Sequence, residues 1–551
     1  MSVVNTSSLM RAFEAIQEHV DTVLAKLGQR EHAKNVVRAL LLGYLGYKIS
    51  KRLYLVFLGP LSHIPGPIFS SLVDVPMWMK KSVREAKLFQ TVFQLHEQYG
   101  PVVRLGVDRI SVSDKAIIKE VLGKQDFPKA EDYKRFQLEG HQTVFSTIDK
   151  NFHKHRRRAV SPAFSLRYLG SLEPFLQSCT EKMILNIRQQ IANNRGAATT
   201  LDIWGLYKHL ALDVIGETAF GCEFDMINGG IGEAGRLPGA IDHRMHFAGL
   251  RALLPGFVRW TISSKNALES DEYLFKFMSE IIEQRTEATR AEAEQNGQAL
   301  DSPSRRKKGK RNDILQILIE TQFADNEEDR LMAKDIIQET VLFLIAGSET
   351  TSNTIAFTII FLIQHPKVLE ALVKEIDSVD LKQKGEDNRI PLPSFDDLKS
   401  LPYLNAVIDE TLRLRPVTGT GLPRQPPADV VLGGYAIPKN TTINCFTWGC
   451  HISDKYWYKP HEFMPERWLD GAEHPADHDA FFPFSIGSRN CIGKNFAWME
   501  LRLGIFALLK YFEIGLVSGQ EAIIEDLVQL VTVRIKVGKY DITVKERATR
   551  A

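Results

Sequence analysis

Phe484-Ser485-Ile486-Gly487-Ser488-Arg489-Asn490-Cys491-Ile492-Gly493 is the stretch whose reading decides the rest of the chain. It opens on an aromatic, carries an Arg two residues before a lone Cys, and runs directly into the amphipathic segment Asn495–Tyr511. Glycines on both sides of a cysteine let the backbone approach a flat ligand and aim amide N–H groups at the sulfur. A helix starting just after the cysteine adds a positive dipole end, which favours thiolate over thiol. A lone Cys is more often a small buried hydrophobe. The five fixed positions of F-x-x-G-x-R-x-C-x-G, however, arise by chance in a chain this long on the order of once in ten thousand sequences. The stretch reads as a site for a metal-bound sulfur.

A second constellation, Ala346-Gly347-Ser348-Glu349-Thr350-Thr351, lies in the middle of an apolar helical pattern, Met332–His365. Glycine costs about 1 kcal/mol inside a helix, and an unpaired buried carboxylate costs much more. One solution is a helix that opens locally, a hydroxyl replacing one backbone bond and water entering the gap. The plainer reading is a bend or a polar face toward solvent. A third stretch, Glu410-Thr411-Leu412-Arg413, puts Glu410 and Arg413 on one helix face. Such pairs are common and weak when exposed. This one is followed by Phe463-Met464-Pro465-Glu466-Arg467-Trp468 and then by Cys491.

In order and spacing these stretches resemble the cytochromes P450. F-x-x-G-x-R-x-C-x-G is similar to that family's haem-binding loop, with Ala497 at its small residue, and Ala346–Thr350 matches its A/G-G-x-D/E-T. The resemblance implies a mainly α fold with small peripheral β-sheets. It implies haem b (iron protoporphyrin IX) with Cys491 as axial iron ligand, in a cofactor loop that includes Phe484, Arg489 and Gly493. It also implies that Thr350 stabilises the oxygen intermediate and that Glu349 feeds protons. Glu410, Arg413 and Arg467 would lock together beneath the haem, a carboxylate held by two arginines and therefore structural. The haem propionates need cations, and Arg489, Arg424 and the segment His153–Arg158 offer them. That segment resembles the family's W-x-x-x-R helix, with His153 at the Trp position and Arg157 at the Arg; a ring N–H at His153 can still bond a carboxylate.

The resemblance further implies a haem-thiolate monooxygenase that inserts one atom of O2 into a C–H bond. The pocket would be lined by the loop at Asp132–Phe145, by Phe343 and Ala346, by Val417–Leu422, and by Leu527 in the turn Asp526–Leu530. These stretches are apolar or small, which suits a lipophilic substrate such as a steroid, fatty acid or xenobiotic. No G-x-G-x-x-G follows a strand. Electrons would therefore come from another protein, by resemblance an NADPH–cytochrome P450 reductase, with cytochrome b5 as a further partner and NADPH serving only indirectly. Two rivals are a haem-thiolate isomerase or dehydratase needing no reductase, and a non-enzymatic haem-binding sensor. The isomerases and dehydratases usually lack the Glu349–Thr350 pair, and a sensor has no use for it.

The chain has 551 residues, 44% hydrophobic and 25% charged, enough for a large core. Its 69 basic and 67 acidic residues leave +2, so no nucleic acid or other polyelectrolyte partner is implied. The chain is expected to be a monomer. The basic run RRKKGKRN at 305–312 reads as a solvated loop. Five scattered cysteines without CxxC spacing argue against disulfides and structural zinc, and for a reducing compartment.

The expected organisation is an N-terminal anchor region over 1–62, a catalytic domain over 63–545 and a tail over 546–551. Ser7–Leu27 carries a helical stripe. Val36–Tyr47 and Leu53–Leu58 are apolar runs interrupted by Lys48, Lys51 and Arg52. Neither run reaches the roughly 20 residues that span a bilayer. Snorkelling Lys and Arg would still let 36–58 sit in a membrane or its interface, against the alternative of a soluble helical hairpin. Acidic residues in the leader and a late apolar run argue against a transit peptide and a cleaved signal peptide. Pro65-Gly66-Pro67 is a stiff spacer, similar to the hinge of fungal membrane-bound P450s, which implies the endoplasmic reticulum membrane with the catalytic domain on its cytoplasmic side. Helices are expected at Trp78–Tyr99, Leu166–Asn193, Leu201–Phe220, Glu269–Glu294, Asp313–Phe323, Val368–Val379 and Phe395–Leu414. Strands are expected at Val102–Leu105, Ile110–Val112, Val430–Leu432, Tyr435–Ile437, Thr442–Phe446, Val531–Val537 and Tyr540–Val544.

Overall fold

The computed structural model describes residues 17–18, 20–22, 30–68, 85–137, 141–253, 265–295, 313–323, 327, 330–381, 389–529 and 531–547. Most of the Ser7–Leu27 stripe, the first part of Trp78–Tyr99, the basic run at 305–312 and the last four residues lie outside the described residues. The longer helices are α1 (Arg30–Phe57), α2 (Leu88–Tyr99), α3 (Lys150–Val160), α4 (Glu173–Asn193), α5 (Ile203–Ile215) and α6 (Leu237–Leu253). They continue as α7 (Lys265–Gln295), α8 (Ala333–Gln364), α9 (Pro366–Asp377), α10 (Pro402–Leu414) and α11 (Lys494–Tyr511). The strands are β1 (Val102–Arg104), β2 (Arg109–Val112), β3 (Thr199–Asp202), β4 (Leu422–Arg424), β5 (Val430–Leu432) and β6 (Tyr435–Ile437). After them come β7 (Thr442–Cys445), β8 (Phe512–Leu516), β9 (Leu527–Gln529), β10 (Val533–Ile535) and β11 (Asp541–Glu546).

Helices dominate, and the strands form small separate sheets: β1-β2-β7-β4, β3-β11-β8, β5-β6 and β9-β10. In the largest, β2 and β7 run parallel, Val112 opposite Cys445, and β4 pairs antiparallel with β7, Arg424 opposite Ile443. The axis of the molecule is α8, buried at every position from Thr351 to Ile363 and packed along α5, α10 and α11. A helix apolar on all sides has no solvent face to offer, so it becomes the core that others surround.

Local chemistry moved several expected boundaries. The stripe Phe395–Leu414 is broken in two, Phe395–Lys399 and α10, because Pro402 holds Leu401 in an extended conformation. Leu166–Asn193 likewise splits ahead of Pro174, into Leu166–Gly170 and α4. The start of Leu201–Phe220 is strand, and Asp202 then caps α5 by accepting from Trp204 N–H. Its last turn, Gly216–Phe220, is a π-turn closed by Gly221 in the left-handed region at φ 64°.

The N-terminal apolar runs are a single helix, α1. Lys and Arg are good helix formers, so the charges that interrupt the hydropathy do not interrupt the backbone. Val36, Leu40, Leu41, Leu42, Leu45 and Ile49 are exposed, whereas Val56, Leu61 and Ile64 are buried against the β1-β2-β7-β4 sheet region. The junction is fixed: Arg104 Nη1 donates to the Val56 carbonyl at 2.9 Å, and Arg104 N–H to the Pro65 carbonyl at 2.7 Å. A Cβ on Gly66 would meet the Arg104 carbonyl oxygen at 2.3 Å, so the Pro-Gly-Pro segment lies pressed onto β1. Among the described residues no single helix is long and apolar enough to cross a membrane.

One buried acid in α11 makes the core sensitive to pH. Glu500 is 3% exposed, its Oε1 has no hydrogen-bond partner, and burial pushes its carboxyl up to about 8. The folded chain thus keeps a proton that the unfolded chain releases above its ordinary carboxyl range, so stability falls as pH rises from about 4.5 toward about 8. We expect Glu500→Gln to flatten this slope and to stabilise the protein at pH 8 by on the order of 1–3 kcal/mol, read as Tm against pH.

Candidate functional site

The Cys loop is shaped by two positions with positive φ, Ser485 at 58° and Gly487 at 79°. A Cβ on Gly487 would lie 1.9 Å from the Leu122 carbonyl oxygen, so only glycine fits that turn. The loop closes on itself when Cys491 N–H donates to the Phe484 carbonyl at 2.9 Å. Gly493 has an ordinary φ of −83° and serves as the N-cap of α11, where an added Cβ would stand 4.0 Å from the sulfur. Cys491 keeps accessible surface although protein surrounds it closely, the combination expected of a thiol on the floor of a cleft. Burial raises its pKa, and the Gly493 N–H, Arg157 and Lys494 oppose that rise.

Arg157 spends both terminal nitrogens on Asn490, at 2.7 Å to its carbonyl and 2.8 Å to its side-chain oxygen. It therefore braces the Cys loop from α3. Around the loop's other side lies a group of buried bases. Arg424 is 2% exposed and Arg489 7%. Arg489 donates to the Thr147 carbonyl at 3.2 Å while its Nε finds no partner. His153 is buried beside them, and burial together with Arg489, Lys129 and Arg157 lowers its pKa to about 3.

Sequence reasoning missed Lys129 and Tyr133. Lys129 is 6% exposed, donates to the Phe145 carbonyl, and sits 4.7 Å over the Tyr133 ring. Burial, then Arg424 and Arg489, hold its pKa well below the usual lysine range. The buried Tyr133 hydroxyl, next to Arg424, makes no well-formed hydrogen bond. None of Lys129, Arg157, Arg424 and Arg489 forms an ion pair among the described residues. A lysine inside Phe127-Pro128-Lys129-Ala130 was the one visible signal.

The Glu410 clamp is fully assembled. Arg413 grips the carboxylate with two nitrogens, Nε to Oε2 at 2.9 Å and Nη2 to Oε1 at 2.8 Å. Arg467 Nε adds a bond at 3.1 Å, Met464 N–H one at 2.9 Å, and Trp468 Nε1 one at 2.9 Å. Arg413 also donates to the His451 carbonyl at 2.9 Å, and the His451 ring Nε2 accepts the Phe482 N–H at 2.8 Å, two residues before the loop begins. His451, another residue missed in the sequence, thus couples the clamp to the loop. Burial lowers its pKa to about 3, which keeps the accepting nitrogen unprotonated.

On α8 the expected local opening does not occur; the segment is α-helical from Ala333 to Gln364. The hydroxyls of Ser348, Thr350, Ser352 and Thr354 instead bond the carbonyl four residues back, Thr350 to Ala346 at 2.8 Å. The Glu349 carboxylate is compensated by an ion pair, Lys208 Nζ at 3.1 Å from α5. Midway along α8, whose second half from Thr351 to Ile363 is buried, Ala346 is exposed and Thr350 half-buried, so this face opens onto a cleft, while Glu349 is turned into the protein. Of the expected pocket residues, Ala346 opens to the cleft, Val417 and Leu422 are half-buried, and Phe343 packs edge-on against Phe164 at 5.5 Å. Leu527 is 3% exposed in the core, and the β9–β10 hairpin docks beside Val417 through Val533 N–H to its carbonyl at 2.8 Å.

The family profile described as Cytochrome P450 matches residues 62–540. The chain is 34% identical to the cytochrome P450 monooxygenase acrD of Aspergillus aculeatus, over 92% of this chain and 95% of that one. It is 32% identical to the cytochrome P450 monooxygenase LUC2 of a Fusarium species, over 89% of each. To the tryprostatin B 6-hydroxylase of Aspergillus fumigatus it is 28% identical, over 88% of this chain and 81% of the relative. With the Cys loop, the clamp and the helical fold already in place, the chain belongs to the cytochrome P450 family and is a haem-thiolate monooxygenase. The residues fit that cofactor: buried cations without counter-ions beside an open thiol are what a porphyrin carrying two carboxylates and an iron requires.

Two outcomes follow for this region. Glu410→Ala is expected to lose about 3–5 kcal/mol of stability by stranding two buried guanidiniums, measured by urea unfolding, and Arg413→Lys to behave almost as badly because an ammonium cannot span both oxygens. Lys129→Met, which relieves cation crowding, should keep the fold and its melting temperature while haem occupancy drops several-fold, read as the haem-to-protein absorbance ratio.

Proposed function

We propose that this monooxygenase is a membrane-attached enzyme that takes electrons from an NADPH–cytochrome P450 reductase and hydroxylates a C–H bond of a lipophilic small molecule. The observation that carries the cofactor half of this reading is the set of buried, counter-ion-free cations around the open Cys491. Lys129, Arg424, Arg489 and His153 would hold the propionates of haem b, Arg157 would hold the loop, and Cys491 would be the iron ligand. Bound there, haem with a thiolate ligand supplies oxygen activation and C–H oxidation.

The chain's own part is protons, orientation and dryness. Thr350 stands on the open face of α8 with its hydroxyl parked on the Ala346 carbonyl, from which it can turn to present a proton to the cleft. Glu349, one residue before it, serves as the store behind. Ala346, Val417, Leu422 and the β9–β10 hairpin form an apolar wall that orients a lipophilic substrate and keeps water out. One relative carries the name tryprostatin B 6-hydroxylase, which supports hydroxylation as the class of reaction.

Electron delivery falls to a partner, the reductase and in addition cytochrome b5, with NADPH consumed outside this chain. Lys150, Lys154 and Arg158 are exposed on or beside α3, on the side of the helix that braces the Cys loop, and would meet an acidic reductase. Attachment to the endoplasmic reticulum membrane, catalytic body on the cytoplasmic side, is supported by the exposed leucines of α1 and its fixed junction with β1. The body would work there as a monomer.

The test begins with the reduced, carbon-monoxide-treated protein, which should show the red-shifted absorption band of thiolate ligation. Cys491→Ala should abolish that band. NADPH oxidation stimulated by a substrate should require the reductase; turnover without either would move the protein to the isomerase class.

A further inference from the structure

We propose that Lys208, shared between Glu349 and Asp242, is a positioning residue that sets the protonation of the distal acid, and that Arg534 couples this setting to the wall of the substrate pocket. The inference rests on the reading of Glu349 as the proton store and adds what controls it.

The observation is an alternating chain of charge. Lys208 Nζ lies 3.1 Å from Glu349 Oε1 and 2.7 Å from Asp242 Oδ1. Arg534 Nη1 reaches the same Asp242 oxygen at 3.0 Å. The four groups come from four elements, α8, α5, α6 and β10. Exposure grades along the chain: the Glu349 side chain is 5% exposed, Lys208 12% and Asp242 40%. Glu349 forms no other ion pair among the described residues, so its charge depends on a single ammonium that also serves a carboxylate nearer water. The nearby histidines are His209 on α5 and His243 and His246 on α6. Burial and Lys208 lower the pKa of His209, so it adds no positive charge at neutral pH.

Sharing makes the chain responsive. A buried carboxylate without a counter-ion takes up a proton from water, because burial penalises its charged form. When Arg534 satisfies Asp242, Lys208 is available to Glu349 and holds it ionised. When Arg534 withdraws, Asp242 draws Lys208 toward itself, and Glu349 loses its counter-charge and is loaded with a proton. Arg534 belongs to the β9–β10 hairpin, which is bonded to Val417 through Val533 N–H and to α8 through Asn353, whose side chain donates to the Val533 carbonyl at 3.3 Å. Displacement of that hairpin by a substrate would therefore be felt one residue from Thr350.

The experiment uses the full chain with its haem and follows the C=O stretch of protonated carboxyls by difference infrared spectroscopy across a pH series, the Glu349 band being assigned by its loss in Glu349→Gln. Lys208→Met should raise the midpoint of Glu349 protonation by about one pH unit or more, tenfold in proton affinity. Lys208→Arg should restore it, Asp242→Asn should lower it, and Arg534→Met should raise it by less than Lys208→Met. An unmoved midpoint in Lys208→Met overturns the pairing, and an unmoved midpoint in Arg534→Met overturns the coupling to the hairpin. Should Lys208→Met fail to fold, the half-exposed Asp242→Asn decides the pairing in its place. The carbon monoxide band of the unaltered protein separates the two levels: its absence sinks the haem-thiolate reading, whereas its presence with unmoved midpoints sinks this inference alone.

Discussion

Glu410 is a carboxylate wholly removed from water, and the segments from α10 to the start of the Cys loop are arranged to meet it. Two arginines, an indole N–H and a backbone amide converge on its two oxygens. A buried charge of this kind is tolerable only when every lone pair is occupied, so each donor is fixed in place by the same requirement. Arg413 then has nitrogens left over, which it spends on the carbonyls of His451, Pro460 and Glu462. Through the His451 ring the constraint reaches Phe482 and the start of the Cys loop. The sulfur's position is thus set by a carboxylate on α10 that does no chemistry.

The cation group above the loop obeys the opposite rule. Where Glu410 is an anion with its partners inside the chain, Lys129, Arg424 and Arg489 are buried cations that form no ion pair among the described residues. Burial and mutual repulsion weaken the hold of Lys129 and Arg489 on their protons, Lys129 most of all. In the proposed reading, two carboxylates brought among them would convert a repulsive group into a paired one. This contrast between a self-satisfied anion and buried cations adds to the Cys motif in supporting the proposed cofactor site.

How much of this could be read from the sequence depended on whether the chemistry lay within one stretch. The Cys loop was legible because Gly487 answers a local steric demand and the thiol lies within four residues of it. Glu410 and Arg413 were legible because helix periodicity places them together, and Arg467 because its neighbours form a recognisable string. Lys129, His451 and Lys208 were not legible: each acts on a residue far along the chain, and only packing brings them into contact. The continuity of α1 could not be seen in hydropathy, which registers Lys48 and Lys51 as interruptions, whereas helix propensity does not. The fold class came from patterns repeated along the whole chain, whereas the polar partners of a buried group depend on which elements happen to face it.

The absence of a local opening in α8 bears on how the acid and the alcohol can cooperate. In a regular helix consecutive residues point about 100° apart, so Glu349 and Thr350 cannot both face the cleft. Thr350 takes the open side and Glu349 takes the side of α5. The acid is buried on that side, where its ion-pair partner is Lys208 at 3.1 Å. The hydroxyl ladder along Ser348, Thr350, Ser352 and Thr354 serves the same arrangement, because each hydroxyl has a resting partner in the carbonyl four residues back and can leave it without stranding a backbone group. If Thr350 and Glu349 supply protons as proposed, the supply would take two separate motions, release of a hydroxyl on one face and loss of a counter-charge on the other, each governed by a different part of the fold.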